Sequence, residues 1–498
     1  MKRQLFVLFA VLFMFAACEK GDEFIAENSA PAADEQIEPL SPEEINKRID
    51  QSIIETGDFN WADADAHLIW SAAMHGDSLL TVGYADAAFS IADKAAAESV
   101  KDNLIRSIME SEQVAEKQRI VLYEDKQINV FDVRAVDYKT VETLLQRKDV
   151  RYVEPGAYNY YAHNAYEKSS SGCSFDAANV YTSDYRTIAP NALVSWTYDE
   201  HNIPQAWNYS TGAGITVGLI DTGVSPYQTL LGSNFNSGYS SGRSIEKYGT
   251  YVDSWWYWVT KTDGPNDKCG HGTSMAATIA SPRNDTGMPV GVAYNCNFIS
   301  YRGTGDVVLD DYHEKKGVAN ALTALANNPS LRIISMSIGH IFTINRIADA
   351  IKYADYKGKM IIAAGGTSTN FTNWVGVIFP ANMDETIAVT GIKSGSSYDE
   401  CDVCHTGSKI DFTVTMERSW DVDRHSVCLG YYNNTTNYVG GSSVATATTA
   451  GIAALIWARN PSWNKAQVLQ KMKESADLYP NKSSNFGYGN IDALAAVL

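Results

Sequence analysis

The chain has 498 residues, of which 45% are hydrophobic, and a formal net charge of −18 at pH 7. That length predicts a globular protein of two or three domains. The acidic balance excludes the basic surface that nucleic-acid binding requires. We therefore expect an acidic, soluble protein without a nucleic-acid partner.

The N-terminal residues have the layout of a signal peptide. A lysine and an arginine follow the first methionine, and the apolar run over residues 5–17 is too short to span a bilayer as a mature helix. Residues 15–18 (Phe-Ala-Ala-Cys) resemble the lipobox of bacterial lipoproteins, whose cysteine is lipidated. We expect a signal peptide over residues 1–17 and an acidic, lipidated tether over residues 18–42. Cys18 would anchor an exported protein to a bacterial membrane, on its periplasmic or cell-surface side; cleavage without lipidation is the alternative.

Residues 43–156 are expected to form a helical segment followed by a small α+β domain. Helix-start signals introduce the segment 43–76. Over residues 77–156 the pattern alternates between strand and helix in the order βαββαβ, which is the ferredoxin-like arrangement. Residues 157–200 lack such a pattern and are expected to be a linker within which maturation cuts the chain. The predicted strands cover residues 79–82, 119–123, 128–133 and 150–155, and the predicted helices cover residues 95–111 and 141–147.

Three later stretches each place a reactive side chain beside a glycine turn. Residues 215–223 are predicted to be a buried parallel strand that ends at Asp221, in the position where α/β proteins bind ligands. His271 begins a helix of small residues, and Ser443 lies just after a Gly-Gly pair at the start of another helix. Each stretch alone is compatible with a structural role. Together, the order Asp, His, Ser is that of a subtilisin-type catalytic triad.

These motifs resemble those of the subtilisin-like serine peptidases, or subtilases, and the resemblance covers residues 201–498. The family's aspartate, histidine and serine motifs match at Asp221, His271 and Ser443. Residues 333–339 resemble the strand that lines the family's substrate cleft. The substrate-binding residues that this implies are Ser335, Ser337, Ile338 and Gly339.

The resemblance implies a peptidase domain over residues 201–498 with a subtilisin-like α/β fold, a doubly wound parallel sheet with helices on both faces. It also makes the ferredoxin-like α+β domain of residues 77–156 similar to the propeptide that chaperones and inhibits subtilases, although an unrelated α+β module is the alternative. The implied function is that of an exported serine endopeptidase, made as a proenzyme, that cleaves proteins or peptides. No cofactor is required for this chemistry. Calcium is common in the family, but no calcium ligand set or other metal site can be mapped onto these residues.

Gly366 is a departure from the family, because it stands where subtilases have an asparagine that stabilises the oxyanion. Losing that donor lowers kcat by about 10²–10³, a figure measured on this family's own asparagine. The backbone N–H of Ser443 is one remaining donor, and Asn370, Thr367 or a backbone N–H of the turn are candidates for the second. If the turn accepts a side chain, Gly366→Asn should raise kcat. The alternative function is a pseudo-peptidase that binds peptides and turns them over slowly or not at all.

Six cysteines remain besides Cys18, and an even number in an exported protein favours disulfides. The sequence leaves their pairing open, and a bond from Cys428 to Cys401 or Cys404 is the plainest interpretation. Residues 401–405 (Cys-Asp-Val-Cys-His) also spell the c-type haem attachment motif. We disfavour haem because no second axial ligand is obvious.

Overall fold

The structure is a computed structural model that describes residues 37–163, 172–367, 376–395 and 397–498. The predicted signal peptide, Cys18 and most of the predicted tether lie outside the described residues, and so does Asn370.

The N-terminal part consists of two helices and then a βαββαβ unit, in the predicted order. Helix α1 begins where Ser41 and Glu44 cap each other's backbone N–H groups, a reciprocal capping box. The four strands form one antiparallel sheet in the order β2-β3-β1-β4, and both helices of the N-terminal segment pack into the same core. The elements are α1 (Pro42–Thr56), α2 (Ala66–Met74), β1 (Leu79–Tyr84), α3 (Lys94–Ser111), β2 (Val121–Glu124), β3 (Val130–Arg134), α4 (Tyr138–Leu145) and β4 (Val150–Pro155).

The C-terminal part is built on a nine-stranded sheet, preceded by a short antiparallel hairpin. The strand bounds are β5 (Tyr185–Ile188), β6 (Ala192–Ser195), β7 (Thr216–Asp221), β8 (Ile245–Gly249), β9 (Asn297–Arg302), β10 (Leu331–Met336), β11 (Met360–Ala364), β12 (Thr386–Lys393), β13 (Ile410–Arg418), β14 (Asp421–Leu429) and β15 (Thr436–Val439). The helices are α5 (Trp196–Glu200), α6 (Ile203–Ala206), α7 (His271–Ala280), α8 (Tyr312–Asn327), α9 (Asn345–Tyr356), α10 (Gly441–Arg459), α11 (Lys465–Glu474) and α12 (Ala493–Val497).

The nine-stranded sheet is mostly parallel, as predicted. Strands β8-β9-β7-β10-β11-β12-β13 run parallel to one another, and β14 and β15 continue the sheet in antiparallel fashion. Helices α7 and α10 pack in the core on one face of the sheet, and α8 and α9 pack in the core on the other. Such a doubly wound sheet gathers the carboxyl ends of its parallel strands at one edge, where α/β proteins form their sites.

Helix α10 is the central element of the larger core. It is the one helix in the described part of the chain that is long and apolar enough to cross a bilayer, and 89% of its most apolar stretch is buried inside the protein. A helix that is apolar on all sides is expected in the core of a large domain. Its N-terminus opens at the edge of the sheet that carries the candidate site.

The four-stranded sheet docks onto helix α9 through a capping carboxylate and an ion pair. Glu154 accepts hydrogen bonds from the backbone N–H groups of Asn345 (3.0 Å) and Arg346 (3.3 Å), and it thereby caps the N-terminus of α9. Arg151 donates two hydrogen bonds to Asp349, at 2.9 and 2.6 Å. Because removing one partner of a buried pair leaves an uncompensated charge, these contacts specify how the two parts fit. Residues 39–498 accordingly form one compact unit.

The disulfide pattern corrects the predicted pairing of Cys428. The bonded pairs are Cys173–Cys269 and Cys401–Cys404, and the free, buried cysteines are Cys296 and Cys428. Cys428 lies inside strand β14, whereas Cys401 and Cys404 share one tight turn with Cα atoms 5.1 Å apart, a normal disulfide span. The Cys401–Cys404 disulfide uses both sulfur atoms of the haem attachment motif.

Candidate active site

Asp221 and His271 form a buried hydrogen-bonded pair at the edge of the sheet. Asp221 is the last residue of β7 and is completely buried; His271 is the first residue of α7. The Nδ1–H of His271 donates to Oδ1 of Asp221 at 2.8 Å, and the backbone N–H of Thr222 donates to the same oxygen at 2.8 Å. The carboxylate therefore fixes the tautomer of the imidazole and leaves Nε2 as the atom that can accept a proton.

The surroundings of His271 favour its protonated form. Burial is the largest single influence on the pKa of His271 and lowers it, but the charge of Asp221, its hydrogen bond and other nearby carboxylates together raise the pKa above the ordinary value of 6.5. The more remote charges of Asp267 and Asp306 act in the same direction. The site is thus arranged to stabilise an imidazolium, the species that forms when the histidine acts as a base.

Ser443 lies in the first turn of α10 and is half-buried. Gly441, with φ of +75°, makes the turn that introduces the helix, a conformation that glycine adopts at no steric cost. The neighbouring Ser442 is buried, and its hydroxyl already accepts from the backbone N–H of Gly366 (3.3 Å) and is hydrogen-bonded to the hydroxyl of Thr367 (3.1 Å). Of the two serines, Ser443 is the one whose side chain is available for chemistry.

A pocket of about 100 Å³ opens beside Ser443. Three of the four predicted substrate-binding residues line it, namely Ser337, Ile338 and Gly339, and the hydroxyl of Ser337 donates to the carbonyl of Ser443 at 3.0 Å. Ser335 does not line the pocket: it is completely buried within strand β10, so its predicted contact with substrate is corrected. Most of the lining is apolar, with Ala364, Val307, Val308 and Ile378 among the remaining lining residues.

Gly366 lines the same pocket, but the structure does not meet the condition for an asparagine at this position. Its φ is +125°, outside the left-handed region around +57° that asparagine visits. A Cβ at position 366 would lie 2.6 Å from Nδ1 and 3.0 Å from Cγ of His405, which is closer than real Cβ contacts. The imidazole of His405 thus fills the space into which a side chain would project, and the condition on which Gly366→Asn was expected to raise kcat is not met.

Two features of the site were not found from the sequence. Asp267 organises the turn before α7; its carboxylate accepts hydrogen bonds from the backbone N–H groups of Cys269, Gly270 and Thr273 and from the hydroxyls of Thr222 and Thr273. An aspartate three residues before a Gly-His pair is a turn-forming signal that could have been noticed. The second feature is His405, which is buried and whose Nδ1 donates to the carbonyl of Gly376 at 2.9 Å.

The N-terminal part of the chain reaches this pocket. The backbone N–H groups of Tyr160 and Tyr161 donate to the two carboxylate oxygens of Asp310 at 3.0 and 2.9 Å. Tyr161 is itself one of the pocket-lining residues. Among the described residues, no group of three or more His, Cys, Asp or Glu side chains is placed to hold a metal ion.

Comparisons with known proteins identify the class to which this α/β fold belongs. The chain belongs to the subtilase family: the family model of peptidase S8 matches residues 212–490, more than half of the chain. The predicted fold is confirmed, and membership supports the activity of a serine endopeptidase.

Individual relatives are distant. Alkaline elastase YaB of Bacillus sp. (strain YaB) is 27% identical over 327 residues, which cover 64% of this chain and 75% of that protein. Subtilisin DY of Bacillus licheniformis is 28% identical over 298 residues, covering 58% of this chain and 94% of the relative. The crystal structure of fervidolysin from Fervidobacterium pennivorans, a keratinolytic enzyme related to subtilisin, matches with a TM-score of 0.57 and 18% identity over 84% of this chain and 60% of that one. At that identity the match bears on the fold alone.

Proposed function

We propose that the protein is an exported serine endopeptidase, made as a proenzyme, whose triad is Asp221, His271 and Ser443. The observation that carries the proposal is the buried 2.8 Å hydrogen bond between Asp221 and His271, together with the position of Ser443 at the start of α10 and at the edge of the pocket. The pair holds the imidazole in the tautomer whose Nε2 can accept a proton. Its natural use is to activate the hydroxyl of Ser443 as a nucleophile.

Each residue of the triad has one role in the mechanism. Nε2 of His271 takes the proton from the Ser443 hydroxyl as the oxygen attacks a peptide carbonyl, and the imidazolium then passes this proton to the leaving amine. Asp221 holds the imidazole in the required tautomer and stabilises its charge. Water then hydrolyses the acyl-enzyme by the same steps, and no cofactor takes part.

Two donors are available for the oxyanion. The backbone N–H of Ser443 lies at the N-terminus of α10, where N–H groups are unpaired and the helix dipole favours negative charge. The hydroxyl of Thr367 is exposed at the pocket and is held by its hydrogen bond to Ser442. We assign Thr367 as the substitute for the missing asparagine, since the N–H of Gly366 is already directed at Ser442.

Residues 77–156 act in this proposal as the inhibitory propeptide, with the helical segment 43–76 packed against it. The ion pair between Arg151 and Asp349, the capping of helix α9 by Glu154, and the position of Tyr161 in the pocket support this role. Maturation would cut within the linker 157–200. Export by the signal peptide and a lipid anchor at Cys18 complete the proposal, with the enzyme held at a bacterial membrane on its periplasmic or cell-surface side.

Processing tests the proposed function. The full chain and its Ser443→Ala variant are produced in a host that lacks other exported peptidases, and their masses are followed over time. The wild type should release a fragment that includes residues 79–154, and the variant should stay uncut. If both chains are processed alike, or if neither hydrolyses an unstructured protein such as casein, the proposal fails and a peptide-binding function gains support.

A further inference from the structure

Residues 172–178, here called the strap, lie across the edge of the catalytic histidine. A Cβ on Gly172 would be 3.7 Å from Cδ2 of His271, the ring atom bonded to Nε2. A Cβ on Gly270 would be 2.1 Å from the carbonyl oxygen of Ser174, so only a glycine at position 270 lets the strap come this close. The chain's own backbone therefore occupies the space next to the proton-transfer atom of the site.

The strap is fixed at both ends. The disulfide Cys173–Cys269 joins it to the turn that begins α7, two residues before His271. The ring of Phe175 packs on that of Tyr431 with centroids 4.5 Å apart. At its far end, Ala178 and Thr436 exchange two hydrogen bonds: the N–H of Ala178 donates to the Thr436 carbonyl at 2.8 Å, and the Thr436 hydroxyl donates to the Ala178 carbonyl at 2.9 Å.

The strap lies on the leaving-group side of the cleft. The acyl part of a substrate would lie along Ser337 and Gly339 in the pocket, and no strap residue lines that pocket. The departing amine must receive its proton from Nε2 of His271, so the chain that follows the scissile bond leaves past the edge of this imidazole. Because the strap covers Cδ2 on that edge, it stands where the leaving chain must pass.

We propose that the strap is a specificity element that restricts the leaving-group side of the cleft, so that the enzyme favours substrates with a short leaving group. The inference rests on the proposed function. A maturation cut before residue 172 leaves the strap joined to the peptidase domain, and the disulfide keeps it beside His271. A substrate with several residues after the scissile bond would have to displace this cross-linked backbone. A substrate with a single small leaving group would not.

Two substrates that share one acyl peptide test this inference in the matured protein. One carries a p-nitroanilide as the leaving group, and the other carries five residues after the scissile bond together with a fluorophore–quencher pair. The quantity measured is the ratio of kcat/KM for the long substrate to kcat/KM for the short one. Cys173→Ser should raise this ratio at least tenfold, because the strap is released while the acyl-side pocket is unchanged.

Matched variants distinguish release of the strap from a general loss of folding. Cys401→Ser breaks the other disulfide and should leave the ratio unchanged, since any effect on the acyl side reaches both substrates equally. Phe175→Ala keeps the cross-link but removes the contact with Tyr431, and it should raise the ratio by a smaller factor. Reduction of the wild type by a dithiol has the same expected effect as Cys173→Ser: the dithiol is oxidised to its cyclic disulfide, and the two electrons and two protons convert Cys173 and Cys269 to thiols.

The outcomes separate this inference from the proposed function. A ratio that stays constant in Cys173→Ser, in Phe175→Ala and after reduction, while both substrates are cleaved, overturns the role of the strap and leaves the peptidase intact. If the wild type cleaves neither substrate and its Ser443 does not react with a fluorophosphonate, the proposed function is wrong, and the role of the strap falls with it.

Discussion

Asp221→Asn should abolish most of the peptidase activity while leaving the fold intact. The carboxylate is completely buried and receives the Nδ1–H of His271 at 2.8 Å. An amide of the same shape removes the charge and can present its own N–H₂ group to Nδ1, which then favours the wrong tautomer of the imidazole. Nε2 would carry the hydrogen, and it could no longer accept the proton of Ser443.

The size of the effect follows from the geometry. Opposite charges 2.8 Å apart interact with about 6 kcal/mol at an effective dielectric constant of about 20. In an enzyme with the same triad, this substitution lowers kcat about 10⁴-fold, which equals about 5.4 kcal/mol in the activation free energy. The two figures agree, so we expect a loss of about 10⁴-fold in kcat with little change in KM.

The pH dependence provides the decisive assay. In the wild type, the acid limb of kcat/KM should lie above pH 6.5, because Asp221 raises the pKa of His271 and the imidazolium cannot act as a base. In Asp221→Asn the limb should move to lower pH, since burial then lowers the pKa of His271 without opposition from this carboxylate. Asp306→Asn is the control. The charge of Asp306 raises the pKa of His271 less than that of Asp221 does, so the acid limb should move only slightly and kcat should stay close to the wild-type value. A variant of Asp221 within tenfold of wild-type kcat, or with an unmoved acid limb, would refute the reasoning.

Three further substitutions have expected outcomes. Gly366→Asn should lower kcat and the melting temperature, because its Cβ overlaps the imidazole beside it and strain of this kind costs about 1–3 kcal/mol; an unchanged melting temperature would contradict the close packing. Thr367→Val should lower kcat at least tenfold at constant KM if its hydroxyl serves the oxyanion, which steady-state kinetics of the matured enzyme would check. In the uncut Ser443→Ala precursor, Asp132→Asn leaves Arg346 as a buried charge without its ion-pair partner, so the unfolding free energy measured in urea should fall by about 3–5 kcal/mol; an equal urea midpoint would show that this pair does not hold the two parts together.

The sequence was sufficient for the parts of the fold that depend on local periodicity. The β-branched run before Asp221 is a buried central strand of the parallel sheet, and the four strands of the N-terminal sheet occur where their patterns predicted them. The observed boundaries of some elements differ from the predicted ones. The second strand begins at Val121, two residues later than predicted, because residues 117–119 form a 3₁₀ turn that alternation of hydrophobic residues does not reveal.

Features that depend on contacts between distant residues could not be predicted. The pairing of Cys173 with Cys269 spans 96 residues, and nothing local to either cysteine indicates it. The packing of His405 against Gly366 also depends on the tertiary structure. In the sequence, a glycine in place of asparagine indicates only a missing side chain; the structure shows that the imidazole of His405 fills its space. Motif order alone therefore indicated the triad, but it could not describe the walls of the cleft.

Covalent labelling of the matured protein with a fluorophosphonate, followed by mass spectrometry of the modified peptide, tests whether Ser443 is the nucleophile. We expect a single label on Ser443, lost in Ser443→Ala and in His271→Ala, because the hydroxyl is nucleophilic only when the imidazole takes its proton. Ser442→Ala, which removes the neighbouring buried hydroxyl, should still be labelled at Ser443. Labelling that persists in Ser443→Ala, or a wild type that does not react at all after propeptide removal, would contradict the assignment of Ser443 as the nucleophile.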